Sequence, residues 1–217
     1  MTPKAVLFDF DGVIADTENH HIAAWQRTLT AMGWLIADEL AVRAAEVDDR
    51  EFLTDLFTTR DVPVDRVDDW LARKQAVTVQ LLRYSPRVYP GVVELVEDLR
   101  VRKARLAVVT GTWRANVQAV LEAAGLTGAF DVIVAKEDVS AQKPDPAPYL
   151  LALKKLRLAP RSAVAIEDSP TGLASAGAAG IRRIAVGHRR PLGDWAADAT
   201  FVESLEPTAE LLERLGF

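Results

Sequence analysis

Cysteine is absent from the 217 residues, which removes disulfides, thiolate metal sites and cysteine nucleophiles from consideration. No apolar run approaches the length that spans a bilayer. The opening Met1-Thr2-Pro3-Lys4 leads straight into a short apolar strand and lacks the longer apolar stretch of a signal peptide. A soluble cytoplasmic protein is therefore expected. An excess of positive charge is also missing: Lys and Arg number 26 against 31 Asp and Glu, for a formal net charge of -5. That balance gives no electrostatic case for nucleic acid, and a small anionic ligand would need a local basic pocket. Repeats and low-complexity segments are lacking too. What remains is ordinary for a globular chain, with 49% hydrophobic and 26% charged residues. The length suits one or two compact domains with a real core.

Short β-branched runs recur at Ala5-Val6-Leu7-Phe8, Leu106-Ala107-Val108-Val109, Val132-Ile133-Val134 and Ala163-Val164-Ala165-Ile166. Continuous apolar runs of this kind read as buried parallel strands. Helical patterns lie between them. Val92, Val93, Val96 and Leu99 make one stripe, and Val117, Val120, Leu121 and Ala124 make another that stops at Gly125. Asp145-Pro146 and Ser169-Pro170 read as N-caps followed by a first-turn proline. Strand–helix alternation predicts a three-layer α/β core with a parallel sheet and right-handed crossovers.

One stretch breaks the rhythm. About 90 residues separate the first two strands, far more than a crossover needs. Within it Ile22, Trp25, Leu29 and Met32 keep helical spacing, Phe52, Leu53, Leu56 and Phe57 suggest a second helix, and Val67 to Arg83 a third. Tyr89-Pro90-Gly91 marks the return to the sheet. The expected division is a core of residues 1–14 and 89–217 with a helical domain, 15–88, inserted into it.

The first strand runs into Asp9-Phe10-Asp11-Gly12. Residues two apart in extended chain point the same way, so both carboxylates can serve one site at the strand's carboxyl end, where open α/β sheets bind ligands. An acidic turn with Gly12 supplying a special dihedral is the plainer alternative. The other strand ends are equally loaded. The second finishes at Thr110-Gly111-Thr112 before a helix, a natural phosphate cradle. Lys143-Pro144 comes next, its lysine fixed by rigid prolines. The fourth ends in Glu167-Asp168-Ser169. Two more carboxylates beside Asp9 and Asp11 would repel unless a cation sat among them, and hard oxygen ligands point to Mg²⁺.

In order, Asp9-Phe10-Asp11-Gly12, Thr110, Lys143-Pro144 and Glu167-Asp168 resemble the four motifs of the haloacid dehalogenase superfamily, across nearly the whole chain. The resemblance implies a Rossmann-like core, and the helical insertion resembles that superfamily's C1 cap. Val6-Leu7-Phe8-Asp9, Asp16-Thr17-Glu18, Tyr89-Pro90-Gly91 and Glu167-Asp168-Ser169 are most similar to β-phosphoglucomutase and its phosphatase relatives. The second Asp, Asp11, resembles phosphotransferases rather than dehalogenases. Chemistry and resemblance together imply Asp9 as nucleophile and Asp11 as acid–base group. Mg²⁺ would be held by Asp9, the Asp11 carbonyl and Asp168, with Glu167 in the same cluster. Lys143, Thr110, the Gly111 amide and Thr112 would hold the transferring oxygens.

In the insertion His21 shares a helix face with Trp25. A histidine packed on tryptophan and a substrate-pocket role both remain open, and the resemblance favours the second. Arg50 and Lys74 match cap positions that bind substrate in the family, against solvated helix charges as the alternative. Two departures stand out: Glu46-Val47 where the mutase pattern has a lysine–glycine pair, and Trp113-Arg114 where it has lysine and asparagine. A mutase must grip a second phosphate. Glu46 weakens that grip, although Arg114 could partly restore it. Hydrolysis of a small phosphorylated metabolite by a monomer is thus the preferred expectation. A phosphomutase is the runner-up, and a phospho-acceptor signalling domain or an inactive binding module are lesser alternatives.

Overall fold

The computed structural model describes residues 2–34, 44 and 47–217. Glu46, one of the departures noted above, lies outside the described residues. The chain divides into two compact units, one of Met1–Asp16 with Arg87–Phe217 and one of Thr17–Pro86.

The first unit is a Rossmann-like α/β core. Its strands β1 (Ala5–Phe8), β2 (Arg105–Val109), β3 (Val132–Val134), β4 (Ala163–Glu167), β5 (Arg182–Val186) and β6 (Thr200–Val202) form one sheet in the order β3-β2-β1-β4-β5-β6. Every pairing is parallel. β1 is the hinge of this order: Phe8 faces Val108 on one side and Ile166 on the other. The chain order reverses there, and the carboxyl ends of strands at such a switch point are where open α/β sheets bind ligands. Helices α4 (Val92–Val101), α5 (Arg114–Ala123), α6 (Ala147–Leu156), α7 (Pro170–Ala178) and α8 (Thr208–Leu215) connect and flank the strands.

Why these residues form these elements follows from burial. All four residues of β1 are fully buried, so neither face tolerates a polar group. Ala5 and Leu7 pack with Tyr149, Ala152, Leu153 and Leu156 of α6 on one face. α5 ends where expected, with Gly125 at φ +73 beyond its cap. Ser169 caps α7 by accepting the Gly172 amide, with Pro170 in the first turn. The Asp145-Pro146 expectation shifts by one residue. α6 begins at Ala147, and the Asp145 carboxylate accepts the Ala147 amide at 2.8 Å. β5, β6 and α8 have no counterpart in the sequence expectations.

The second unit contains α1 (Glu18–Ala31), α2 (Asp49–Thr59) and α3 (Val67–Tyr84). Trp25 and Leu29 of α1 pack with Phe52, Leu53 and Phe57 of α2, the indole meeting Phe52 edge-on at 4.9 Å. Asp48 caps α2 by accepting the Arg50 and Glu51 amides. Among the described residues no helix is long and apolar enough to cross a membrane.

Candidate active site

β1, β2 and β4 deliver the site because their buried runs end together and the next residues are polar. Asp9 follows β1, Thr110 follows β2, and Glu167 and Asp168 close β4. All four are buried. Carboxylate oxygens of Asp9, Glu167 and Asp168 come within 4.8 Å of one another. Lys143, between β3 and α6, places Nζ 2.8 Å from Asp9 Oδ1 and 2.6 Å from Glu167 Oε1. The Tyr149 hydroxyl also donates to Glu167 Oε1.

Close approach fixes two glycines here. A Cβ on Gly12, which has φ +86, would fall 1.9 Å from Asp168 Oδ2. One on Gly172, in the first turn of α7, would fall 1.9 Å from Glu167 Oε2.

The electrostatics follow from crowding. Burial opposes the charge on Lys143, but Asp9 and Glu167 overcome it and raise the ammonium above the usual lysine value. Burial, and then Asp9, push Asp168 up to about 7, opposed by Arg189 and Lys143. Glu167 moves the same way for the same reasons, with Lys143 pulling it back. Glu167 Oε2 is buried without a hydrogen-bond partner among the described residues. A buried group of hard oxygen donors carrying more negative charge than one lysine offsets is a fitting site for a cation such as Mg²⁺.

Asp11 stands apart from that acidic group. Its Oδ2 accepts from Thr110 Oγ1 at 3.5 Å. Thr110 Oγ1 in turn accepts the Thr112 amide at 3.0 Å, and the buried Asn116 donates to Thr112 Oγ1 at 3.0 Å. Gly111 at the tip of this loop is exposed. Arg114 turns elsewhere: its guanidinium bonds Asp138 and the Ile133 carbonyl. Trp113 is 41% exposed, with Lys136 Nζ 5.6 Å from the ring centroid.

Within the helical unit the structure joins His21 and Lys74. Lys74 Nζ lies 3.0 Å from His21 Nδ1 and bonds both Asp49 oxygens, at 2.9 and 2.7 Å. Trp25 Nε1 donates to the same carboxylate. Burial and the Lys74 charge hold His21 down at about 4, so it is neutral. Arg50 is not part of this group and pairs with Asp68 on the exposed surface.

Sequence reasoning missed Asp49, Asn116, Tyr149 and the residues after β5, since none carries a motif. His188 Nδ1 lies 3.1 Å from the Gly12 carbonyl oxygen, and Arg189 reaches to 3.9 Å from Asp168. Burial lowers the His188 ring's affinity for a proton, and the Gly12 bond partly offsets this.

The haloacid dehalogenase-like hydrolase family model matches residues 6–186. A phosphorylated carbohydrates phosphatase of Thermotoga maritima is 34% identical over 185 residues, covering 83% of each chain. The crystal structure of CbbY from Rhodobacter sphaeroides, in complex with phosphate, superposes with a TM-score of 0.83 at 31% identity, covering 95% of this chain and 96% of that one. A beta-phosphoglucomutase from Clostridium difficile shares the fold, with a TM-score of 0.77 at 21% identity over 100% of this chain and 98% of that one.

Proposed function

Because the chain belongs to the haloacid dehalogenase-like hydrolase family and is a phosphoric monoester hydrolase within it, we propose that it hydrolyses a small organic phosphate ester, with Mg²⁺, through an aspartyl-phosphate on Asp9. One observation carries this reading: the buried Asp9 carboxylate shares Lys143 with Glu167 and lies in a three-carboxylate group that fits a cation.

An Asp9 oxygen attacks phosphorus while the bond from phosphorus to the leaving oxygen breaks. Asp11 gives that oxygen a proton. Asp11 then takes a proton from water as the water attacks phosphorus, the acyl-phosphate bond breaks, and the Asp9 carboxylate and inorganic phosphate are released. Thr110 bonds Asp11, and Lys143 bonds Asp9, so both groups are oriented before substrate arrives. Thr112 and the Gly111 amide hold the transferring oxygens. Asp9, the Asp11 carbonyl and Asp168 would hold Mg²⁺, with Glu167 beside them, and the ion would supply charge neutralisation between anionic nucleophile and anionic substrate.

Residues 17–86 act in this reading as the cap that selects the substrate, with His21, Lys74 and Asp49 as its polar group. A phosphorylated carbohydrate is the favoured class, by analogy with the Thermotoga relative. Phosphatase is favoured over mutase because Trp113 stands where the mutase pattern has a lysine and the Arg114 guanidinium is paired with Asp138 and the Ile133 carbonyl. The expected location is the cytoplasm. The test is phosphate release from p-nitrophenyl phosphate and a panel of sugar phosphates. Release should stop with chelator, return with Mg²⁺, and fall to background in Asp9→Asn; activity surviving either change refutes the reading.

A further inference from the structure

The turn that aims Asp11 is held from outside itself. Gly12 donates its amide to the Ala15 carbonyl at 2.9 Å, and Asp11 bridges to Ala15. Gly12 has no side chain, and space for one is taken by Asp168 and Arg189. The Gly12 carbonyl is instead bonded by His188, 3.1 Å from Nδ1. A carbonyl only accepts, so Nδ1 carries the proton, and in the neutral ring that burial favours Nε2 is left as an acceptor. Nε2 is buried without a partner among the described residues, an arrangement that costs free energy. The ring is therefore kept in place by its other contacts: the Gly12 bond and a stack on Tyr89, with centroids 4.1 Å apart and planes 17° from parallel. Tyr89 in turn donates its amide to the Ile14 carbonyl at 3.0 Å. One imidazole thus grips the 11–15 turn at its start and, through Tyr89, near its end.

We infer that His188 is a positioning residue for Asp11, its Nδ1–H bond to the Gly12 carbonyl and its stack on Tyr89 fixing the turn from which the Asp11 carboxylate reaches the reacting oxygens. This rests on the acid–base role given to Asp11 above.

The test is a double-mutant cycle on p-nitrophenyl phosphate with Mg²⁺ present, with folding followed by circular dichroism. His188→Ala should slow turnover ~10–100-fold, the scale on which a small misplacement of a catalytic group acts. Phosphoprotein sensitive to hydroxylamine should accumulate, because release of phosphate from Asp9 is the step that needs an aimed base. His188→Asn, which can put an amide N–H near the Nδ1 position, should recover much of the rate, whereas His188→Gln should not. In an Asp11→Asn background His188→Ala should change turnover by less than about two-fold, since coupled residues lose their effect once the partner is gone. An equal slowing in both backgrounds, or an unchanged rate in His188→Ala, overturns the inference. If His188→Ala fails to fold, equal rates for the Asn and Gln variants overturn it. A wild-type protein with no Mg²⁺-dependent release overturns the reading of the site instead, and that arm is read first.

Discussion

Asp11 has two tasks in the proposed chemistry, and its neighbours imply that they separate. Its carboxylate is not among the Asp9, Glu167 and Asp168 oxygens that gather within 4.8 Å, although its charge is felt at Asp168, and it accepts from Thr110 Oγ1. Replacing it should leave the nucleophile and the cation site intact. With p-nitrophenol as leaving group the first step needs little protonation, whereas the second needs a base for water. Asp11→Asn should therefore give a burst of nitrophenol near one equivalent, then turnover slowed ~10²–10⁴-fold. Rapid-quench kinetics would check it; normal turnover, or loss of the burst, rules out the assigned role. The acidic residues at the strand ends were legible because a carboxylate after a buried apolar run has few purely structural reasons to be there. Tyr149 and His188 were not legible. Each acts through one long-range contact, Tyr149 to Glu167 and His188 to Gly12, and no local spacing encodes such contacts.

At the scale of elements, β4 and α7 meet so closely that Gly172 is required. Gly172→Ala should displace the Glu167 carboxylate from Lys143, costing ~1–3 kcal/mol as overpacking does and lowering both melting temperature and kcat. Gly125→Ala is the control. Its site is open, so the residue's positive φ alone makes it destabilising, and kcat should hold. Equal losses of kcat in the two variants would show that the β4–α7 approach is not what matters. Elements were readable in proportion to their local signal. β1 to β4 carry uninterrupted apolar runs, but β5 opens on Arg182-Arg183 and β6 has only three residues. The first arginine has a tertiary purpose that sequence hides: Arg182 bonds the Arg214 and Leu215 carbonyls at the end of α8, where a cation is favoured.

Across the whole molecule the acidic group couples stability to pH. Crowding pushes Asp168 up to about 7 from an ordinary 3.8 and raises Glu167 as well, so the native state binds more protons than the unfolded one across that range. A raised carboxylate contributes stability that is present below its unfolded pKa and lost as pH rises through its folded one. Without metal, melting temperature should fall from pH 4.5 to 7.5, by about 5–10 °C if a few kcal/mol are lost. Mg²⁺ should flatten the fall, and Asp168→Asn should remove much of it while abolishing the response to Mg²⁺. A metal-free protein equally stable at both pH values would contradict the crowding described. The junction of the two units has a different consequence. Asp16 donates its amide to the Arg87 carbonyl at 2.8 Å, and Ala15 bridges to Val88, so the chain leaves and re-enters the core at one point. To the sheet, the seventy residues between Thr17 and Pro86 amount to a single loop. Such a socket constrains an insert by the spacing of its ends far more than by its length. Lineages, or engineers, can therefore exchange the helical unit by recombination at Asp16 and Arg87 without disturbing the register of a single strand.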